Sequence, residues 1–346
     1  MRGAWLTLVA LLIAGLAAAA VVVYQRLHEP FKGYAGAERF VEIPAGTGAR
    51  AIAKRLADAG VVRDELTFVL ALRVTGKGSR LQAGEYRFDR PLTPDQVIDQ
   101  LADGRVYLRH ITFPEGLTLR EMSRIFEEQG FGPAAAFEAA AGRASMITEL
   151  DPQAADLEGY LFPETYALPR SATADQLVRA MVERFKAVYA SQRSLLPASR
   201  RTVREVVTLA SIVEKETGKP EERPAVAAVY ANRLKVGMGL QCDPTVIYAL
   251  QRAGTFNGNL TKEDLAFDSP YNTYRNAGLP PGPIASPGEA SLGAALAPAD
   301  VPYLYFVSRN DGSHVFAHTL AEHNKNVLAY QVLPFRQKRL ESRRRR

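Results

Sequence analysis

The sequence predicts an α+β protein carried on one apolar N-terminal helix. Three observations point there: an uncharged apolar run at the start, a strand, Pro-x-Gly turn and helix pattern that occurs twice, and a longer C-terminal part dominated by amphipathic helices with one hairpin signal. On these grounds 1–28 form a cytoplasmic tip and transmembrane anchor and 29–39 a linker, while 40–108 form a small α+β module. Residues 109–340 then make a mainly helical domain with a β-hairpin, and 341–346 a basic tail.

The run from Ala4 to Tyr24 is long enough, at about 21 residues, to span roughly 30 Å of hydrocarbon as a helix. Trp5 and Tyr24 sit where interfacial aromatics belong. Ala17 to Ala20 offer a signal-peptidase-like A-x-A site. The run continues through Val21, Val22 and Val23, which favours an uncleaved anchor. With so short an N-terminus, the bulk of the chain falls outside the cytoplasm.

Phe40 to Gly60 reads as strand, turn and amphipathic helix, and Ile111 to Gly130 repeats that grammar. Between them lie a short strand at Ala83 to Phe88 and a helix within Pro91 to Gly104, capped by Thr93 with Pro94 at its first position. Leu157 to Tyr166, LEGYLFPETY, sets aromatics beside Glu158 and Glu164 and is expected to form a cleft wall. A helix follows from about Ala174 to Ser191.

The stretch from Arg201 to Pro244 carries the chemistry. Val203, Val206, Ala210, Val213 and Thr217 recur at helical spacing, and Gly218 and Pro220 end that helix. At about 100° per residue, Glu214 and Glu216 fall on opposite flanks of this stripe, and periodicity does not choose between them. A carboxylate at a helix C-terminus meets the negative end of the macrodipole, and Glu216 also has Leu209 and Ile212 on its own face. Both effects favour the protonated acid. Further helices are expected from Pro224 to Leu234, from Asp243 as a side-chain cap with Pro244 behind it, and from a capping box at Ser286 to Glu289. Tyr303 to Ser308 and His314 to Ala317 give the hairpin, and a last helix covers about Leu320 to Leu333.

Composition narrows the possibilities. With 47% hydrophobic and 23% charged residues, the 346-residue chain is globular rather than disordered. Its net charge of +6 is modest, yet seven positive charges stand in the last eleven residues, a tail suited to nucleic acid, anionic lipid or an anionic wall polymer. The single cysteine, Cys242, excludes an intramolecular disulfide and a cysteine-based metal cage. No phosphate-binding Gly loop, G-x-S-x-G elbow or nucleic-acid motif is present. His314, His318 and His323 are close in sequence, with Glu322 between the last two, but His314 and His318 stand in or just after a strand and so not on one helix as an HExxH site requires; neither metal nor cofactor is expected.

The strings ASIVEKET, VYANRL, GLQCDPTVIYAL, YNTYRNAGLPPGPIASPG and YLYFVS resemble, in order and spacing, the endolytic murein transglycosylase family (MltG, YceG-like). The likeness covers most of the chain after the first thirty residues. It implies a LysM-like module at 40–108 and a lytic-transglycosylase-like catalytic domain at 109–340, with the catalytic glutamate of EKET falling on Glu216. Glu164 stands where the family more usually has Asp, and Cys242 where it usually has a small polar residue. The resemblance further implies glycan strands of peptidoglycan as substrate, a place on the outer side of the inner (plasma) membrane, and a role in terminating nascent strands near cell-wall synthases. Gln241, Asn272 and Tyr274, in or beside an irregular Gly- and Pro-rich loop, are then suited to hydrogen-bond a sugar, with Glu164 on the cleft wall and Glu214 as electrostatic neighbour of Glu216. Two other readings stay open: a muramidase-type hydrolase pairing Glu216 with Glu214, Glu164 or Asp243, and a non-enzymatic membrane-tethered glycan-binding scaffold.

Overall fold

The apolar N-terminal run forms one helix, α1 (Arg2–His28), whose Leu8–His28 portion is long and apolar enough to cross a membrane. Leu8, Leu11, Leu12, Ile13, Leu16 and Val21 to Tyr24 are exposed on it, as a lipid-facing helix requires. The computed structural model describes residues 2–196 and 201–336, so the basic tail at 341–346 lies outside the described residues. Two compact units divide the chain, one of residues 1–109 with 167–171, the other of 110–166 with 172–346.

In the first unit, β1 (Arg39–Ile43) pairs antiparallel with β2 (Gly84–Phe88), with Val41 opposite Tyr86. Alternation puts Val41 and Ile43 of β1, and Tyr86 and Phe88 of β2, into the core. Helices α2 (Ala49–Asp58), α3 (Glu65–Thr75) and α4 (Pro94–Ala102) cover that core through Ile52, Leu56, Phe68, Leu72, Val97 and Leu101. Sequence reading did not find α3. Its string ELTFVLALRVT is apolar on every side, leaving Leu66 and Val74 exposed, so no amphipathic period marks it. Asp64 caps its start and Gly76, in the left-handed region, ends it. The stretch 29–39, read as a linker, is folded in: Phe31 bridges Leu92 and Tyr34 is buried.

A second two-stranded ribbon pairs β3 (Arg109–Thr112) with β4 (Thr165–Leu168). The second unit continues with α5 (Leu119–Glu128), α6 (Ala134–Ala141), α7 (Ala174–Leu195), α8 (Val203–Glu216), α9 (Arg223–Lys235), α10 (Asp243–Ala253) and α11 (Glu289–Leu296). It closes with the hairpin β5 (Tyr305–Ser308) and β6 (His314–Ala317), then α12 (Leu320–Val327). Residues Val206 to Val213 of α8 are all buried, because α9, α10 and α11 pack around the helix. Thr202 starts α8 with a complete capping box to Glu205.

The aromatics of LEGYLFPETY do not face a cleft. Tyr160, Phe162 and Tyr166 are buried, with the Tyr160 hydroxyl on Asp151 and the Tyr166 hydroxyl on the Phe162 carbonyl. Gly159 allows this loop to meet α8: it has φ +82°, and a Cβ there would lie 2.3 Å from Pro283 Cβ and 3.1 Å from Val207 Cγ1. Neither neighbour can yield, since both are core atoms beside α8. Gly159→Ala is therefore expected to destabilise the second unit by about 2–4 kcal/mol, through left-handed strain plus overpacking. Urea unfolding read on that unit's transition checks this, and an unchanged midpoint would contradict it.

Candidate functional site

Helix α8 ends at Glu216, and Thr217 turns the chain into extended backbone. The turn is pinned from both sides. Thr217 Oγ1 accepts from the Lys219 N–H and donates to Glu222 Oε2 at 3.4 Å. Glu222 in turn accepts the His314 backbone N–H at 2.9 Å and contacts His314 Nδ1 at 2.7 Å, so strand β6 fixes the end of α8.

Glu216 Oε1 receives two hydrogen bonds, from the Tyr230 hydroxyl at 2.7 Å and the Cys242 thiol at 3.1 Å. Both donors are buried. Oε2 accepts no hydrogen bond from any described residue, and Glu216 itself is only half-buried. One oxygen is thus anchored and the other uncommitted. Burial raises the Glu216 pKa above its ordinary 4.5; the two hydrogen bonds offset part of this, the Asp243 charge adds to it and His314 opposes it. Burial, with Glu216 beside them, pushes Tyr230 and Cys242 well up as well, which keeps both protonated as donors.

The backbone around Cys242 is clamped. Gln241, at φ +48°, gives its N–H to the Thr273 carbonyl, and the Cys242 N–H reaches Thr273 Oγ1 at 3.0 Å. Thr245 Oγ1 closes the arrangement onto the Cys242 carbonyl at 2.7 Å. Gln241 and Asp243 are exposed on either side of the buried cysteine, and Tyr274 donates its hydroxyl to Asp243 Oδ1 at 2.6 Å. Glu216, Gln241, Asp243 and Tyr274 therefore gather at one place.

Other expected site residues lie elsewhere or are already occupied. Asn272 is fully buried, its Nδ2 donating to the Leu265 and Phe267 carbonyls and its Oδ1 accepting the Tyr274 N–H, so it shapes the loop instead of facing a sugar. Glu164 is paired with Arg184, 2.7 Å from its Nε, on an exposed surface. Glu214 is not the electrostatic neighbour of Glu216. Its Oε1 binds buried Arg223 at 2.8 Å and its Oε2 accepts the Gly288 N–H at 2.9 Å, and the guanidinium balances its charge. Asp243 does not cap α10: Cys242 holds that position, and Asp243 serves Tyr274. Ser286 makes no capping box either, since α11 starts one turn-step later at Gly288, where Glu214 takes the orphan N–H.

Sequence reasoning missed Tyr230, Cys242 and Arg223. Tyr230 stands in the string VYANRL, a signal for the region though not for the contact; Arg223 carried none. Among the described residues no group of three or more His, Cys, Asp or Glu is placed to hold a metal ion. His314 is occupied by Glu222, His318 packs edge-on to Tyr303 and His323 stacks on Tyr305.

A second raised glutamate needs comparison. Glu158, in a cavity of about 560 Å³ with Tyr248 and Arg252, is pushed up by burial to about 8. Both of its oxygens are occupied, Oε1 by the Leu119 N–H at the start of α5 and Oε2 by the Tyr248 hydroxyl. Glu158 is therefore a structural cap, whereas Glu216 keeps one oxygen uncommitted.

The model of the YceG-like family matches residues 41–329. An endolytic murein transglycosylase of Bacillus subtilis (strain 168) is 34% identical over 301 residues, 82% of this chain and 82% of that protein. One from Streptococcus pneumoniae serotype 2 (strain D39) is 30% identical over 317 residues, 83% of this chain and 57% of the longer relative. The crystal structure of a YceG-like protein from Listeria monocytogenes is 34% identical with a TM-score of 0.55, covering 83% of this chain and 98% of that one.

The two donors on Oε1 set when Glu216 ionises. A hydrogen bond to the charged form lowers a carboxyl pKa, and a hydroxyl donates more strongly than a thiol. Cys242→Ser should lower the pH at which Glu216 loses its proton, and Cys242→Ala should raise it. Infrared titration of the carboxyl band, assigned with Glu216→Gln, reads this order; the same midpoint in all three proteins would mean the thiol does not act on Oε1.

Proposed function

The chain belongs to the YceG-like family, and from that premise we propose that it is an endolytic lytic transglycosylase, cutting peptidoglycan glycan strands internally with Glu216 as its one acid and base. The observation that carries this reading is the divided carboxyl group: Oε1 held by Tyr230 and Cys242, Oε2 uncommitted, with burial shifting the group toward its protonated form. A general acid needs that combination of a fixed group, an available proton and a pKa near the working pH.

The steps balance without water. The Oε2 proton passes to the oxygen joining muramic acid C1 to the next sugar; the C1–O bond breaks with its electron pair on the leaving oxygen, and an oxocarbenium-like centre remains at C1. The C6 hydroxyl of the same muramic residue attacks C1 and gives its proton to the Glu216 carboxylate. A 1,6-anhydro ring closes and the acid is regenerated. Proximity of the C6 hydroxyl supplies much of the rate, since the nucleophile belongs to the same ring. As the carboxylate forms, Tyr230 and Cys242 hold its charge on Oε1, while Asp243 stands near enough to favour positive charge at C1.

Gln241, next to Cys242, and Tyr274, whose hydroxyl donates to Asp243, are read as groups that meet the sugar's hydroxyls. The first unit is read as a LysM-like module that contacts glycan, and α1 as a single-pass anchor holding both units on the outer side of the plasma membrane, where nascent strands leave their synthases.

Strands digested by the protein and by Glu216→Gln, with fragments weighed by mass spectrometry, test the assignment. Internal fragments with 1,6-anhydro ends are expected from the wild type, with a rate loss of about 10²–10⁴-fold in the variant. Reducing ends would instead indicate a hydrolase using Asp243 as second carboxylate. No cleavage by folded wild type would favour a glycan-binding scaffold.

A further inference from the structure

The helix that follows the hairpin leaves an apolar side exposed. Beyond α12, residues 328–332 form a π turn and 333–336 continue as helix. Leu328, Ala329, Val332 and Leu333 recur one, four and five residues apart, and all four are exposed. Their opposite side rests on the hairpin. Gln331 Nε2 donates to the Ser308 carbonyl at 2.6 Å, Asn310 Nδ2 to the Tyr330 carbonyl at 2.7 Å, and Arg309 lies over the Tyr330 ring. A surface helix of a globular protein ordinarily turns its apolar side inward. Here the outward side is Leu, Ala, Val and Leu, with Leu328 50% and Val332 47% exposed.

Charge adjoins this face in sequence. From Arg336 to Arg346 the chain carries seven Lys or Arg and one Glu. The family match ends at 329, so neither the basic run nor Val332 and Leu333 is accounted for by what the family shares.

We propose that the C-terminal segment from Leu328 onward docks on an anionic phospholipid surface, its apolar face at the acyl boundary and its cations among the headgroups. Two features together select lipid. A nucleic acid or wall polymer would use the arginines and leave Leu328, Val332 and Leu333 in water, and a second copy of this chain would bring like charge against the tail. An anionic bilayer covers the apolar face and neutralises the cations at once, the pairing of a weak apolar signal with a polybasic one that gives stable attachment. The N-terminal span already brings the chain to a bilayer. This proposal does not rest on the catalytic assignment of Glu216.

The test uses the full chain reconstituted in bilayers, with Trp5→Phe removing the single tryptophan and Leu333→Trp placing a reporter on an exposed position. In bilayers containing phosphatidylglycerol with brominated acyl chains, the reporter should lose most of its emission. It should recover at high salt, and stay bright in brominated phosphatidylcholine alone. Changing Arg343, Arg344, Arg345 and Arg346 together to Gln should abolish the loss while leaving glycan cleavage unchanged. The proposal is overturned if the reporter stays bright in both lipids, or if quenching is equal in both or survives the four Arg→Gln changes. It is also overturned if emission responds to protein concentration or added polyanion instead of lipid.

Discussion

The buried ion pair between Arg223 and Glu214 is the joint on which the site depends. It ties the last turn of α8 to the first residue of α9, and through Glu214 Oε2 to the first N–H of α11. Glu115, 3.3 Å from the same guanidinium, and Lys215, which donates to the Gly116 carbonyl at 3.0 Å, add the loop before α5. Removing one partner of such a pair leaves an uncompensated buried charge, a loss of about 3–5 kcal/mol. Its consequence lies two residues along: with α8 and α9 fixed at this point, Tyr230, two turns into α9, is delivered to Glu216. The two glutamates of EKE thus divide the labour, Glu214 building the frame and Glu216 staying available.

How much of this was legible in the sequence follows from which signals are local. The stripe Val206, Ala210, Val213 and the Gly218/Pro220 stop marked α8 and its end, because helix formation and termination are decided within a few residues. The same local logic failed at Asp243 and Ser286, both sound cap residues by type, because nonlocal partners outbid the caps: Tyr274 takes Asp243, and Glu214 supplies the N–H acceptor for α11. Helix α3 was invisible for a different reason, having no polar side to give it a period. The donors on Glu216 come from fourteen and twenty-six residues away, and no spacing rule connects them. Cys242 read as a harmless departure from the family pattern; only the fold turns it into a contact with the central carboxyl group.

That contact also bears on stability. Because the folded chain raises the Glu216 pKa above 4.5, it holds this proton more tightly than the unfolded chain does. The stabilisation that results is fully present below the unfolded value and is lost as pH rises through the folded one. A site that favours the protonated acid therefore weakens the protein once pH rises through the raised pKa, when the same carboxylate must sit ionised in its desolvated place. The Tyr230 and Cys242 hydrogen bonds limit that loss, since they favour the charged form.

In the proposed mechanism the same opposition suits one glutamate to both steps. A carboxyl group that gives up a proton and then takes one back works best when neither form is strongly preferred, which needs burial and hydrogen bonding to oppose each other. Burial alone would leave an acid too reluctant to ionise when the glycosidic oxygen needs its proton. Two strong donors alone would leave a carboxylate too weak to collect the proton from the C6 hydroxyl. One hydroxyl and one thiol on Oε1 oppose desolvation and the Asp243 charge, and they do so on the oxygen to which the proposed mechanism gives no part in transfer. In that mechanism the anchored oxygen tunes the group, and the free oxygen exchanges the proton.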